Sequence, residues 1–112
     1  MLKYRFDTQI ILGKPNNLIW AGAPYEMLGT ISASYLSRPE EVMDVIANLA
    51  QVSAGTQEDY GWGQDACSFT SEQERTYINY DFDKHTITIP TTEILQLLRD
   101  WLAYLQQQPQ AA

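Results

Sequence analysis

Polar and apolar positions alternate along the first dozen residues of the chain. One face of an extended segment carries Leu2, Tyr4, Phe6 and Thr8. This period of two predicts a half-buried β-strand over residues 2–12. Glycine, proline and asparagine in residues 13–17 predict a turn. The apolar run at 18–20 predicts a short second strand whose Trp20 belongs to the core.

Helical spacing appears before the middle of the chain. Four apolar residues recur at the i, i+3, i+4 and i+7 positions of one face: Val42, Val45, Ile46 and Leu49. They predict an amphipathic helix over about residues 38–53 that stops at Gly55. Ser37 and Glu40 match a capping box at its start, in which the serine hydroxyl accepts a backbone hydrogen bond. Residues 25–36 favour a third strand.

The second half has the pattern of a strand meander followed by a helix. The segment 56–66 has no period and contains two glycines, which predicts a loop. Alternating runs at 67–70, 76–82 and 85–89 predict three strands, and the last two are expected to pair as a hairpin. A wide apolar stripe at helical spacing closes the chain, and Trp101 within it is expected in the core.

Together these elements predict an α+β fold. We expect an antiparallel sheet of about five strands with two helices packed on one face. The length of 112 residues suits one domain. That domain spans residues 1–106, and the glutamine-rich residues 107–112 are expected to form a frayed tail.

Charge narrows the classes of partner. The chain has 14 acidic and 7 basic residues, a formal net charge of −7. Binding to phosphates or to anionic lipid needs clustered Lys and Arg, so we expect neither a nucleic-acid partner nor a membrane partner. A basic protein partner is permitted. The N-terminal pattern is not that of a signal peptide, and no apolar run approaches the roughly 20 residues of a bilayer span, so we expect a cytoplasmic protein.

The chain offers little for catalysis or metal binding. Cys67 is the single cysteine and His85 the single histidine, and both fall in strand-like alternation. We therefore interpret Cys67 as a small buried residue and His85 as a surface residue at a strand end. Asp81 and Asp83 share a strand face, but the spacing of a cation-binding loop is absent around them. The expectation is a protein that is not an enzyme and has no metal or cofactor.

The most informative segment surrounds Tyr60 and Trp62. It contains three acidic residues among glycines: Glu58, Asp59 and Asp65. Tyrosine and tryptophan often dominate binding energies, and carboxylates attract Lys and Arg on a partner. We predict a partner-binding surface here, with weaker contributions from Glu72, Glu74 and Asp81. In the alternative interpretation, Trp62 folds back to cap the core and the acids only maintain solubility.

The hairpin and the closing helix also carry a family resemblance. The hairpin comprises residues 77–82, Tyr-Ile-Asn-Tyr-Asp-Phe, and residues 86–90, Thr-Ile-Thr-Ile-Pro, and the helix spans residues 93–105. In an acidic chain of this size, this C-terminal third resembles small bacterial immunity proteins of contact-dependent inhibition and related polymorphic toxin systems. The resemblance implies a non-enzymatic protein that binds a cognate toxin domain, often a basic nuclease, and blocks its active site or substrate surface.

Three functions stay open at this point. The toxin inhibitor leads, because residues 58–84 hold seven acids against two bases beside the aromatic pair. Among the other acids, Glu40 and Glu41 belong to a helix start, and Asp44 and Asp100 are expected to face solvent. A second candidate is an adaptor or self-associating protein, possible as a homodimer, that pairs through an exposed strand edge. The third is a small enzyme or ligand binder with a carboxylate-centred pocket lined by Tyr25, Tyr35 or Tyr80.

Overall fold

The structure is a computed structural model that describes residues 3–34, 36–64, 67–80 and 84–107. The elements in chain order are β1 (Tyr4–Ile11), β2 (Lys14–Ala21), α1 (Leu28–Ser34), α2 (Pro39–Ala54), β3 (Tyr60–Gln64), β4 (Cys67–Ser71), β5 (Arg75–Tyr80), β6 (His85–Pro90) and α3 (Thr91–Gln107). β1 and β2 form one antiparallel sheet, and β3, β4, β5 and β6 form a second in that spatial order. The α+β class is confirmed, and the described strands are divided between two sheets of two and four strands.

A tight turn joins β1 to β2. Ile11 pairs with Lys14, so only Leu12 and Gly13 lie between the strands. Both have positive φ angles, 52° and 76°. Positive φ at both central residues is the type I′ geometry, whose twist matches that of the flanking strands. The two predicted strands and a turn between them are confirmed, although β2 begins at Lys14, inside the segment 13–17 that the sequence predicts as a turn.

Residues 28–34 form helix α1, and the expectation of a strand there is wrong. Leu28 and Ile31 are both buried, and a spacing of three places them on one helical face. The Ser32 hydroxyl accepts a hydrogen bond of 2.9 Å from the backbone N–H of Ile19 on β2. The helix is therefore held against β2 by contacts between residues distant in sequence, which local spacing does not reveal.

α2 confirms the predicted middle helix and its end. Gly55 has a φ of 83°, and its N–H donates to the carbonyl of Val52 at 3.1 Å. The capping box is wrong, because the N-cap residue is Arg38 and no side chain caps the helix. The helix begins one residue too late for Ser37, and the Arg38 guanidinium pairs with the Glu41 carboxylate instead. The face toward the core buries Val42, Val45, Leu49 and Val52.

α3 forms the centre of the core. Trp101 is fully buried, as expected. Its indole N–H donates to the carbonyl of Leu36 at 2.8 Å. Trp20, also expected in the core, is instead 43% exposed, with the Arg5 guanidinium 5.2 Å from its ring centroid. Successive strand residues point to opposite faces, and on β2 the buried face belongs to Ile19.

β1 docks on α3 through aromatic and polar side chains. The rings of Phe6 and Tyr104 lie 5.4 Å apart, and the Tyr4 phenol donates a hydrogen bond to the Asp100 carboxylate. Asp100 is therefore half-buried, and the expectation that it faces solvent is wrong. The spacing of residues along α3 predicts an exposed position for Asp100, because that spacing takes no account of the β1–β2 hairpin that packs against this part of the helix. Asp44 is exposed, as expected.

Buried hydroxyl groups connect α3 to the four-stranded sheet. Ser71, Thr76 and Thr91 have no exposed surface. The Thr76 hydroxyl lies 2.8 Å from that of Ser71 and 2.9 Å from that of Thr91. The Thr91 hydroxyl also donates to the carbonyl of Glu72 at 2.6 Å. These contacts hold the turn between β4 and β5 against the first turn of α3.

Candidate protein-binding edge

Tyr60 and Trp62 lie on strand β3, and the expectation of a loop over 56–66 is wrong for this part. Trp62 pairs with Phe69 on β4, and the two rings stack with centroids 5.2 Å apart. Pairing with β4 is what makes this glycine-containing segment extended. The alternation of Tyr, Gly, Trp and Gly is itself a period of two, and this signal was available in the sequence. β3 is one of the two edge strands of the four-stranded sheet.

The two aromatic side chains of β3 face inward and are half-buried. Both pack against the hydrophobic core, and Tyr60 meets Phe69 edge-on at 6.3 Å. Burial, and after it the charge of Asp44, raises the pKa of Tyr60, so its phenol is neutral and able to donate a hydrogen bond. Trp62 therefore covers the rim of the core, as the alternative interpretation held, while part of its surface stays accessible at the sheet edge.

The open side of β3 presents the backbone of two glycines. The N–H of Glu72 donates to the carbonyl of Arg75 at 2.8 Å and closes the turn between β4 and β5. This bond makes Glu72 and Arg75 a hydrogen-bonded pair. Because hydrogen-bonded and non-bonded pairs alternate along antiparallel strands, the next residue of β4, Ser71, is in a non-bonded pair with β5 and directs its backbone groups toward β3. By the same alternation, the N–H and C=O groups of Gly61 and Gly63 point away from β4.

Four of the predicted acidic residues converge at one end of this sheet. Glu58 and Asp59 are exposed immediately before β3. Glu72 and Glu74 are exposed in the turn after β4. Because Tyr60 pairs with Ser71, the start of β3 and the end of β4 lie side by side. These four carboxylates, named here the acidic end, therefore border the first residue of the edge strand.

The other two predicted acidic residues, Asp65 and Asp81, lie outside the described residues. The acidic end is therefore defined by the four described carboxylates alone.

The residues considered for catalysis have the expected positions. Cys67 is buried, and this burial raises the pKa of its thiol, which disfavours the reactive thiolate. His85 is exposed at the start of β6, with its ring stacked 5.1 Å from that of Tyr80. Within the described ranges, no group of three or more His, Cys, Asp or Glu residues is arranged to hold a metal ion. Asp81 and Asp83, the carboxylate pair, lie outside those ranges.

Two cavities bear on the idea of a carboxylate-centred pocket. One, enclosed in the core, has a volume of about 10 Å³ and is lined by apolar side chains together with Ser32. The other is an open cleft of about 370 Å³ lined by Lys3, Tyr4, Arg5, Trp20, Ala21 and Gly22. Neither contains a carboxylate, Tyr25 or Tyr80. Tyr35, the third expected lining residue, lies outside the described residues.

The tip of the β1–β2 hairpin is a surface that sequence reasoning missed. Ile10 is 70% exposed and Leu12 97% exposed, with Ile11 between them also exposed. The sequence signal is the end of the alternation, where three apolar residues stand in succession before Gly13. Apolar side chains grouped at a hairpin tip add a second accessible feature, distant in sequence from the acidic end.

Comparison with protein families, with curated proteins and with solved structures found no match for this chain. In the part of the chain that the structure describes, no helix is both long and apolar enough to cross a membrane.

Proposed function

We propose that this protein is a non-enzymatic inhibitor of the immunity type, which binds a basic toxin domain, such as a nuclease, and covers its active site or substrate surface. The observation that carries the proposal is the acidic end beside the open edge of β3. Exposed carboxylates and partly accessible aromatic rings at one sheet edge suit a basic protein surface. Action against a nuclease places the inhibitor in the cytoplasm, and that location is part of the proposal.

The physical roles divide between the two kinds of side chain. Exposed carboxylates accelerate encounter with a positively charged partner and form charge-assisted hydrogen bonds to Lys or Arg. The accessible parts of Tyr60 and Trp62 then supply apolar contact area without a large entropic cost, because their packing against the core already orders them. The neutral, buried Cys67 thiol supports a role without nucleophilic chemistry.

The first experiment reverses one charge of the acidic end. The product of the adjacent gene is tested for co-purification with the protein, and its affinity is measured by titration calorimetry. Asp59→Lys is expected to weaken binding by about tenfold or more and to slow association, because it places a like charge against a basic partner. Glu26→Lys is the matched control, since Glu26 is exposed beside α1, which packs on β2 and not on β3. Equal affinity of both variants and the wild type would exclude this surface.

The second candidate is an adaptor or self-associating protein that pairs through a strand edge. The open edge of β3 favours it, because an unpaired edge is a template for another chain. Sedimentation analysis of the protein alone separates the candidates. A stable homodimer in the absence of any partner favours the second, and a monomer that forms a tight complex with a basic protein favours the inhibitor.

A further inference from the structure

The four-stranded sheet has two edges, and they differ in how they are protected. On β6, the N–H of Thr91 donates to the carbonyl of Glu74, so the next pair, Arg75 and Pro90, is non-bonded. The backbone of Pro90 therefore faces the outer edge, where it has no N–H to offer. A proline on an edge is a common protection against further strand addition. β3, in contrast, contains no proline and no charged residue.

The β1–β2 sheet offers a less accessible edge as well. The N–H of Ile19, directed outward from β2, is already bonded to the hydroxyl of Ser32 on α1. On β1, the N–H of Thr8, directed outward by the same alternation, is already bonded to the carboxylate of Asp7 at 2.9 Å. Among the described strands, β3 thus has the edge best suited to accept another strand.

The two glycines make the approach to β3 unobstructed. Both glycines are exposed. Gly61 has open space where a Cβ would stand, whereas a Cβ at Gly63 would lie 3.0 Å from that of Ser68, so only glycine fits there without a shift. Their outward N–H and C=O groups provide two donors and two acceptors in the spacing of an antiparallel ladder. With no side chains on the outer face at these positions, long side chains of an added strand have room to lie across the sheet.

Charge decides which kind of strand fits this edge. Suppose that the β3 strands of two copies paired antiparallel with Trp62 opposite Trp62. Position 59 of one copy would then lie opposite position 65 of the other, and both positions are aspartates. Like charges opposite each other destabilise a strand pair. A strand that carries Lys or Arg near its ends is attracted instead by Asp59 and the other carboxylates of the acidic end.

We infer that β3 accepts an extended, basic segment of the partner protein as a fifth strand of the sheet, with backbone hydrogen bonds to Gly61 and Gly63. This inference rests on the proposed function and specifies how the partner is held. The backbone ladder provides affinity, Tyr60 and Trp62 form the inner contact surface, and the acidic end selects for positive charge.

The test uses a substitution that blocks the edge without removing an internal hydrogen bond. Gly61→Pro deletes the outward N–H, whereas Gly61→Ala keeps it and adds a methyl group in open space. The probe is an acetylated, amidated peptide of alternating Lys and Val, with a Glu and Val peptide as the charge control. Binding is followed by the amide NMR signals of the whole protein, and circular dichroism verifies that each variant is folded.

The wild type and Gly61→Ala are expected to bind the Lys-Val peptide with similar affinity, and Gly61→Pro about tenfold more weakly. The Glu-Val peptide is expected not to bind. In the wild type, the amides of Gly61 and Gly63 should exchange at least about tenfold more slowly when the Lys-Val peptide is present. This exchange measurement keeps the test decisive if Gly61→Pro does not fold.

Other outcomes overturn the inference in distinguishable ways. If peptide binding leaves exchange at both glycines unchanged, the contact is electrostatic and no strand is added. If the protein alone dimerises through β3 and Gly61→Pro abolishes the dimer, the occupant is a second copy. If Asp59→Lys weakens binding of the cognate partner but Gly61→Pro does not, strand addition fails while the proposed function stands. If neither variant weakens it, both the inference and the proposed surface fail.

Discussion

At the scale of the residue, Leu12 occupies a conformation that its side chain does not favour. Its φ is 52°, and its side chain is 97% exposed at the tip of the hairpin. The first position of a type I′ turn is usually Asn, Asp or Gly, because a Cβ crowds the backbone when φ is positive. Leu12 therefore contributes strain without burial.

Leu12→Asn is expected to increase the free energy of unfolding by roughly 0.5–1 kcal/mol, since asparagine tolerates the left-handed region and no packing is lost. Urea denaturation of the variant and the wild type measures the difference. Lys14→Asn, next to the turn but outside the left-handed region, is the control for a general effect of asparagine at the tip. A loss of stability in Leu12→Asn would mean that the exposed leucine makes a stabilising contact.

At the scale of the element, α3 depends on the sheet for its first turn. The buried hydroxyl groups of Ser71, Thr76 and Thr91 form a continuous hydrogen-bonded row across β4, β5 and the helix. A buried polar group without a partner costs more than the bond itself contributes, so such a row is stable only when it is complete. It also places the turn that carries Glu72 and Glu74, and so connects stability with the candidate binding surface.

Thr76→Val is expected to lower the free energy of unfolding by roughly 1–3 kcal/mol, because the central hydroxyl of the row is lost while its two neighbours remain buried. Thermal and chemical denaturation provide the measurement. Thr76→Ser retains the hydroxyl and should lose considerably less. Equal destabilisation by valine and serine would assign the effect to packing of the methyl group instead of to the hydrogen bonds.

At the scale of the whole molecule, the hairpin and the four-stranded sheet are joined through α3. The hairpin carries two of the seven basic residues, with Lys3 immediately before it, and the acidic end belongs to the other sheet, so opposite charges are distributed over different parts of the molecule. One contact between the hairpin and α3 is sensitive to pH. Burial, followed by the hydrogen bond and the charge of Asp100, raises the pKa of Tyr4 to about 12.

A raised pKa in the folded state means that Tyr4 contributes its stabilisation while the phenol is protonated. That contribution is complete below pH 10, the ordinary value for tyrosine, and is lost as the pH rises toward about 12. The free energy of unfolding is therefore expected to fall across this window. Tyr4→Phe, which cannot ionise, should show a shallower decline when denaturation is repeated from pH 9 to pH 12. Parallel declines in both proteins would assign the alkaline loss to other groups.

The elements predicted correctly are those whose pattern is contained within a single segment. α2 and α3 are defined by apolar residues at helical spacing, and Gly55 by its tolerance of positive φ. β1 and the pairing of β5 with β6 follow from the alternation of polar and apolar residues along the strands. In each case, one face of one element buries enough apolar surface for the sequence period to indicate the structure.

The elements predicted incorrectly depend on contacts with distant residues. α1 is held by β2 through Ser32, and Trp20 is exposed because Ile19 takes the buried face. β3 is a strand because it pairs with β4, where the ring of Trp62 stacks on that of Phe69. A short or glycine-containing segment has a weak local preference, so long-range pairing determines its conformation.

The α+β class, the two long helices, the acidic character of the chain and the aromatic pair at Tyr60 and Trp62 follow from the sequence. The position of this pair on an edge strand, and the outward direction of the backbone groups of Gly61 and Gly63, follow from the pairing of strands in the folded protein. That pairing also brings Glu58 and Asp59 beside the turn after β4. Composition and periodicity depend on neighbours in sequence, whereas strand order and the direction of backbone groups depend on pairing between segments, which no local pattern specifies.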